Sequence, residues 1–531
     1  MNELAEIVAV WREEQGGAGA ARGVRFVVES GRSAADIAAA AARLLQLELS
    51  VTALFADQPA LARFHALDIP GVSRLDRADL FEVAAVLRRA LDAETVEPDL
   101  GTDYFLPEPA IPAEGAPEGI DFTFWCWARK LPADENWAIK KARIPEAWQF
   151  AQDQGRPVAG VGSVVFQPDT GIVDTHVALP PGMANRPGAA NFVEPGRPPV
   201  DPRTGGHNPG HGTGTGSVIA SPGGRMKGVA PAATVVPLRC VESVAVFDQS
   251  PVAQAISHAE RHGAHVITMS LGGVPSSALH AAARQAVASN VIVVAAAGNC
   301  VGEVVWPARY DEVIAIAGVN EASRPWQGSC RGPSVAVSAP AEFVLRADGT
   351  DRSVPPAAVS GGQGTSFAVA MTAGIAALWL AFHGRDRLIA ELPGGRTLQE
   401  QFRRLLRRAV QKPPGFDTRK FGAGIVDALA LLQLDPASAW QQSGAEEAGG
   451  DEHDSLRSLV AAAFGEGAAE AALPALDDRQ HHAELACAAL DRLRAAQTRR
   501  AQAEALPPPL LSPSLRGRLG APLYNSDGAG P

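Results

Sequence analysis

A glycine-rich turn that ends in a serine is the part of this chain best suited to chemistry. Gly361, Gly362 and Gly364 precede Thr365 and Ser366, and the apolar residues that follow predict a buried helix that starts at the serine. The glycines let the backbone approach a substrate, and the first N–H groups of the helix favour negative charge beside the serine oxygen. Helix capping by either hydroxyl explains the turn equally well, so a catalytic serine needs partners elsewhere.

Three further glycine-marked turns present a carboxylate, an imidazole and an amide. Asp169 ends an apolar strand, His211 begins a second glycine-rich segment, and Asn299 follows a buried strand. Active sites of open α/β sheets collect at the carboxyl ends of the strands, so we expect these side chains near Ser366. A turn or a cap explains each residue alone. It does not explain why all four residue types of one mechanism occur together.

Each of these residue types suits one step of serine-dependent acyl transfer. A serine hydroxyl does not attack a carbonyl unaided, so His211 would take its proton and later give it to the leaving amine. Asp169 would fix the tautomer of the imidazole, and Asn299 would donate to the oxyanion together with the backbone N–H of Ser366. The prediction is a serine endopeptidase that forms an acyl-enzyme and needs no cofactor.

The elements that must position these residues are short strands alternating with helices. Strands are predicted at 161–166, 234–238, 266–270, 291–296 and 313–317, and helices at 252–261 and 279–289. This alternation indicates an α/β fold with a parallel sheet covered by helices on both faces.

The segments on either side differ from this pattern. Residues 23–100 have the order βαββαβ, which predicts a small ferredoxin-like α+β domain after a loose tail at 1–22. Residues 101–135 form a linker that ends in an aromatic patch expected to pack on a neighbouring domain: Phe122, Phe124, Trp125 and Trp127. Residues 437–531 form an extension rich in alanine and glutamate, with helices expected at 455–464 and 482–503 and disorder from 507 onward.

The order Asp, His, Ser resembles that of the subtilisin-like serine peptidases, the subtilase family, in the segments 169–171, 211–213 and 364–366. Segments 228–231, 270–273 and 297–299 also match, and the likeness covers about 136–434. It implies a subtilisin-like domain at 136–436, with the 23–100 domain as the family's inhibitory propeptide. The residues it implies for substrate binding are Ser270, Leu271 and Gly272 along the substrate backbone and Ala297 and Gly298 at the P1 pocket.

Departures from the family pattern lie close to the site. Ala370 stands where the family has a proline, and Gly214 where it has a second histidine, but neither change removes a proton-transfer group. The acid of a family calcium site corresponds to Ala178, and the loop at 221–227 is short, so no metal is predicted. Glu303 would favour a P1 lysine or arginine if it lines the pocket. Otherwise it is a solvated loop residue.

Composition restricts the partners. A net charge of −11 without a basic stripe opposes nucleic-acid binding. No signal-peptide pattern occurs at the start, and the apolar stretches fall short of a membrane span, so we predict a cytoplasmic protein, with secretion left open.

The five cysteines lack CxxC spacing, which favours free thiols, although a Cys300–Cys330 pair is conceivable.

The expected partners are a protein or peptide substrate and the chain's own N-terminal domain as inhibitor. The alternative function is a non-catalytic protein that binds peptides on the same scaffold. A sedolisin-type acid peptidase is a lesser alternative, since it needs a glutamate base and an oxyanion aspartate in place of His211 and Asn299. The intact set of four groups favours the endopeptidase.

Overall fold

The computed structural model describes residues 2–15, 23–73, 75–100, 126–204, 208–246, 248–441, 452–499, 509–519 and 523. Phe122, Phe124 and Trp125 of the aromatic patch lie outside these residues. Trp127 lies inside them and packs edge-on against Trp326, with ring centroids 5.8 Å apart. This contact is the one expected of a patch that packs on a neighbouring domain.

The N-terminal domain is an antiparallel sheet with two helices that contact each other. Its elements are α1 (Asn2–Gln15), β1 (Val24–Glu29), α2 (Ala34–Leu45), β2 (Ser50–Ala53), β3 (Phe64–Ile69), α3 (Arg77–Leu91) and β4 (Thr95–Pro98), with sheet order β2-β3-β1-β4. Ser33 and Asp76 start α2 and α3 as N-caps, each accepting a backbone N–H three residues on. From β1 to β4 the order of elements is the predicted one.

Helix α1 corrects the expectation of a loose tail at 1–22. Ile7, Val8 and Trp11 lie on one side of the helix and are buried. The indole Nε1 of Trp11 donates to the carbonyl oxygen of Ser73 at 3.1 Å. The helix forms because this apolar side packs on the domain, an interaction that its many charged residues conceal in the sequence.

The central domain contains the predicted parallel sheet. Its strands are β5 (Val164–Asp169), β6 (Ala190–Asn191), β7 (Thr234–Arg239), β8 (Ala245–Val246), β9 (Val266–Met269), β10 (Gly272–Gly273), β11 (Ile292–Ala296), β12 (Ile314–Val319), β13 (Val335–Pro340), β14 (Val344–Ala347), β15 (Val359–Gly362), β16 (Val410–Gln411) and β17 (Ile425–Val426). Within the described residues a nine-stranded sheet has the order β16-β17-β13-β12-β11-β9-β5-β7-β6. Its pairs are parallel except β16 with β17.

Helices cover both faces of this sheet, because both faces are apolar. The helices are α4 (Trp137–Lys141), α5 (Ile144–Asp153), α6 (His211–Ala220), α7 (Ser250–Arg261), α8 (Ser277–Ala288), α9 (Thr365–His383), α10 (Arg385–Ala390), α11 (Leu398–Arg408), α12 (Thr418–Phe421) and α13 (Ala428–Gln433). Alternate strand residues face opposite ways: Val293 packs in the core beneath α7 and α8, whereas Ile292 and Val294 pack in the core around α9. The predicted two-faced α/β fold is confirmed.

Helix α9 runs through the core with Ser366 at its start. It is long and apolar enough to cross a membrane, so the expectation that every apolar stretch is too short is wrong. However, 89% of its apolar window is buried inside the protein, which identifies a core helix. Small residues permit its close packing: a Cβ on Gly374 would lie only 2.6 Å from the Cβ of Val229.

The C-terminal module, defined here as residues 452–499 and 509–519, is helical. It comprises α14 (Glu452–Phe464), α15 (Glu466–Ala471), α16 (Leu473–Leu476), α17 (His482–Arg499) and α18 (Pro513–Arg518). Helix α18 corrects the expectation of disorder from residue 507 for the stretch 509–519, and the remainder of 507–531, apart from residue 523, lies outside the described residues. Leu511 and Leu515 are buried, and the Glu484 carboxylate accepts the backbone N–H and the hydroxyl of Ser512 at 2.5 and 2.9 Å.

The buried Glu484 makes the stability of this module depend on pH. Burial raises the pKa of Glu484 to about 7, although bonds from Ser512 and the charge of Arg77 act in the opposite direction. The folded state then holds the proton more tightly than the unfolded chain. The stabilisation is complete below the ordinary pKa of 4.5 and is lost as the pH rises to about 7.

We therefore expect the module to be less stable at pH 8 than at pH 5, by about 3 kcal/mol from this group. Hydrogen exchange of the α17 amides measures this, with Glu484→Gln as the matched control, because the amide cannot ionise. Equal pH dependence in the two proteins would contradict the prediction.

Candidate active site

The end of β5 and the start of α6 bring a buried carboxylate to a buried imidazole. Asp169 is the last residue of β5 and His211 the first of α6. Nδ1 of His211 lies 2.8 Å from Oδ1 of Asp169, and the hydroxyl of Thr215 donates to Oδ2 at 3.0 Å. With Nδ1 donating to the carboxylate, Nε2 is the nitrogen that can accept a proton.

Asp201 ties the two elements together and was not predicted from the sequence. Its buried Oδ2 accepts the hydroxyl of Thr170 and the backbone N–H of Gly210, both at 2.7 Å. The Thr170 oxygen accepts the N–H of Gly212 at 3.2 Å, so these bonds hold the chain on both sides of His211. Burial, with the nearby Asp169 charge adding to it, raises the pKa of Asp201.

Ser366 lies in the first turn of α9, where backbone N–H groups lack helical partners. Its Oγ donates to the carbonyl oxygen of Ser270 at 3.3 Å, and the Ser270 hydroxyl donates to the carbonyl oxygen of Ser366 at 3.0 Å. In this geometry the Ser366 hydroxyl would have to rotate away from Ser270 before it could donate to His211. Hydrogen bonds within active sites commonly tighten only when substrate binds.

Asn299 is held so that its amide N–H₂ faces Ser366. Its Oδ1 accepts the N–H and the hydroxyl of Thr365 at 2.9 and 2.8 Å, which leaves Nδ2 on the other side. A Cβ on Gly364 would lie 3.3 Å from this Nδ2, 3.7 Å from the Ser366 N and 3.8 Å from the Ser366 Oγ. Because residue 364 is glycine, with φ +150°, this space between two donors and the hydroxyl is open.

The residues predicted to bind substrate divide into two groups. Ser270, Leu271, Gly272 and Gly298 line a cavity of about 180 Å³ together with His211, Asn299 and Ser366. Ala297 does not line it, whereas its neighbour Ala296 does, because side chains alternate along an extended segment.

The edge predicted to pair with a substrate backbone is paired internally. Strand β10 runs parallel to β8, and the N–H of Gly272 donates to the carbonyl oxygen of Val244 at 2.9 Å. A substrate strand would have to displace this bond. The pairing role of Ser270, Leu271 and Gly272 stays a prediction.

Glu303 is placed elsewhere than predicted. It is not among the residues that line the cavity, and its carboxylate lies 3.7 Å from Nη1 of the buried Arg309. Burial raises the pKa of Glu303, while the charges of Arg309 and Arg331 oppose this shift. The suggested role of Glu303 in selecting a P1 lysine or arginine is therefore withdrawn.

A disulfide next to the site corrects the expectation of free thiols. Cys126 and Cys300 are bonded, whereas Cys330 is a buried free thiol. Beside the bridge, the side chain of Gln363 pairs with the N–H and the carbonyl oxygen of Ala128, both at 2.9 Å. The end of the linker is thus fastened at two points, at Cys300 next to Asn299 and at Gln363 three residues before Ser366.

The C-terminal module also reaches the cavity, which the sequence did not indicate. Leu490, Asp491 and Arg494 of α17 line it. Within the part of the chain that the structure describes, no group of three or more histidine, cysteine or acidic side chains could hold a metal ion. The absence of a metal remains a prediction.

Comparisons with known proteins match the central domain. The model of the subtilase family (Peptidase_S8) matches residues 160–424. Thermitase of Thermoactinomyces vulgaris is 30% identical over 260 residues, which are 48% of this chain and 85% of thermitase. Subtilisin Savinase of Lederbergia lenta is 32% identical over 246 residues, 46% of this chain and 82% of Savinase. Among solved structures, MycP1 with its N-terminal propeptide removed superposes on this chain with a TM-score of 0.45 and 26% sequence identity. The superposition covers 57% of this chain and 98% of that MycP1 chain.

The family model, thermitase and Savinase together define a serine-type endopeptidase. More narrowly, the chain belongs to the subtilase family, as the resemblance of its motifs implies.

The bonds around Thr170 lead to a testable prediction. Thr170→Val keeps the shape but removes the hydroxyl that joins Asp201 to Gly212, so His211 should lose its fixed position. We expect kcat to fall about ten- to a hundred-fold with little change in KM, measured on a peptide substrate. Thr170→Ser, which keeps the hydroxyl, should retain most activity. Wild-type kcat in Thr170→Val, or an equal loss in both variants, would show that the Thr170 hydroxyl does not position His211.

Proposed function

We propose that Asp169, His211 and Ser366 are the catalytic triad of this endopeptidase and that Asn299 is its oxyanion donor. The observation that carries the proposal is the 2.8 Å contact between His211 and Asp169 beside a cavity that His211, Asn299 and Ser366 share. The ends of two strands, β5 and β11, and the starts of two helices, α6 and α9, supply these four groups. This convergence is what covalent catalysis by serine requires.

In acylation, Ser366 Oγ attacks the carbonyl carbon of the scissile bond while Nε2 of His211 takes the hydroxyl proton. The carbonyl electron pair moves to oxygen, and the resulting oxyanion is stabilised by Nδ2 of Asn299 and the N–H of Ser366. Collapse of this tetrahedral intermediate breaks the C–N bond, and the His211 imidazolium gives its proton to the leaving amine. Water then repeats the sequence on the ester, which releases the acid and restores Ser366.

We further propose that the N-terminal domain inhibits the central domain by docking on α7 and α8. The Glu97 carboxylate accepts the N–H of Ser277 at the start of α8, with both oxygens at 3.1 Å. Asp99 accepts the N–H groups of Gln249 and Ser250 at the start of α7, at 2.8 and 3.2 Å. Carboxylates are favoured at helix N-termini, so these contacts support a specific interface.

A cytoplasmic location stays a proposal. The Cys126–Cys300 bond weighs against it, since disulfides persist mainly in oxidising compartments. Alkylation of thiols in cells lysed directly into denaturant tests the location, because Cys240, Cys330 and Cys487 are buried in the folded protein. Modification of all five cysteines supports the cytoplasm, and protection of Cys126 and Cys300 contradicts it.

The non-catalytic alternative is tested through the two groups that react or stabilise charge. Ser366→Ala should abolish peptide hydrolysis without unfolding the protein. Asn299→Ala should lower kcat by about two to three orders of magnitude, a figure taken from a subtilisin. Asn299→Asp, which has the same shape but no N–H₂, should lose at least as much. Wild-type kcat in either Asn299 variant would exclude it as the oxyanion donor, and hydrolysis by Ser366→Ala would exclude the triad.

A further inference from the structure

The C-terminal module is anchored to the central domain through a buried arginine. Arg309 donates from Nε and Nη2 to the carbonyl oxygen of Ser455 at 3.2 and 2.8 Å and from Nη2 to the hydroxyl of Ser458 at 2.6 Å. Its side chain is 2% exposed. A buried guanidinium is stable only when its N–H groups have hydrogen-bond partners. The module supplies these partners, so it is packed against the central domain and is not a loose extension.

The same module holds the edge of the N-terminal sheet. Gln480 accepts the N–H of Val96 at 2.9 Å through Oε1 and donates to the Val96 carbonyl oxygen at 2.7 Å through Nε2. Val96 lies on β4, an edge strand of that sheet. A side-chain amide that satisfies both backbone groups of an edge residue occupies the place of a neighbouring strand.

Ion pairs continue this contact towards the catalytic cavity. Arg88 on α3 pairs with Asp478 at 2.8 Å, and Arg77 at the start of α3 pairs with Asp491 on α17 at 2.6 Å. Asp491 also lines the cavity that contains Ser366. One helix therefore contacts the N-terminal domain and forms a wall of the catalytic cavity.

We propose that the C-terminal module is a clamp that keeps the N-terminal domain bound to the central domain and narrows the cavity beside Ser366. The proposal rests on the inhibitory role proposed above for the N-terminal domain. The Glu97 and Asp99 contacts join that domain to the central domain directly, and the module joins it to the central domain indirectly, through Gln480 and the anchor at Arg309. Release of the inhibitor then requires displacement of both sets of contacts.

The rate at which a fluorophosphonate labels Ser366 in the full-length protein tests the clamp. Gln480→Ala removes both bonds to Val96, so the N-terminal domain should dissociate more often and labelling should become about five-fold faster or more. Adding Arg88→Met should increase the rate further. Neither residue belongs to the catalytic or substrate-binding groups.

Two controls separate the clamp from general loosening of the protein. Arg457→Ala removes a pair with Glu466 at 3.3 Å that lies wholly within the module, and it should leave the rate unchanged. The second control is hydrogen exchange, which reports folding directly. In Gln480→Ala, amide exchange should become faster in β1 to β4 and stay at the wild-type rate in β5, β9 and β11.

A third set of variants separates failure of the clamp from failure of the inhibitor. Glu97→Gln with Asp99→Asn weakens the direct docking contacts. If the Glu97→Gln, Asp99→Asn double variant is labelled faster and the Gln480→Ala, Arg88→Met double variant is not, the clamp proposal is wrong but the inhibitory role of the N-terminal domain is supported. If neither pair changes the rate, the inhibitory role fails and the clamp fails with it. Acceleration in both pairs supports the clamp.

Discussion

The parallel pairing of β5, β9 and β11 is the constraint on which the site depends. Parallel strands end at the same edge of the sheet, so the residues at or just after their ends, Asp169, Ser270 and Asn299, meet there. Helix α9 packs across the face of these strands and brings its first turn to the same edge. The position of Ser366 is therefore a result of how α9 packs, and substitutions in the core should act on the chemistry through this packing.

Local patterns in the sequence were sufficient to select Asp169, His211, Asn299 and Ser366 as candidates for one site. Each of the four groups lies in a short glycine-marked turn, and strands that are buried on both faces are continuous apolar runs. The supporting contacts could not be predicted in this way, because Asp201 reaches Thr170 across 31 residues and carries no pattern of its own. Glu303 failed as a pocket residue for a similar reason, since its environment is set by the buried Arg309.

The segments outside the central domain were predicted less completely. Periodicity predicts the elements from β1 to β4 but not α1 or α18, and the contacts of these segments depend on partners hundreds of residues away, such as Val96 for Gln480. The disulfide between Cys126 and Cys300 has no local signal either. The first of these contacts joins the two flanking domains to each other, and the disulfide joins the end of the linker to the surroundings of Ser366.

The measurement that tests the central claim most directly is mass-spectrometric mapping of a fluorophosphonate adduct. The account predicts one adduct per chain, on Ser366, because this hydroxyl lies at the start of α9 in the cavity that it shares with the His211 imidazole and the Asn299 amide. An adduct on another residue would contradict it. So would the absence of an adduct in a folded Glu97→Gln, Asp99→Asn variant, in which the docking contacts of the N-terminal domain are weakened.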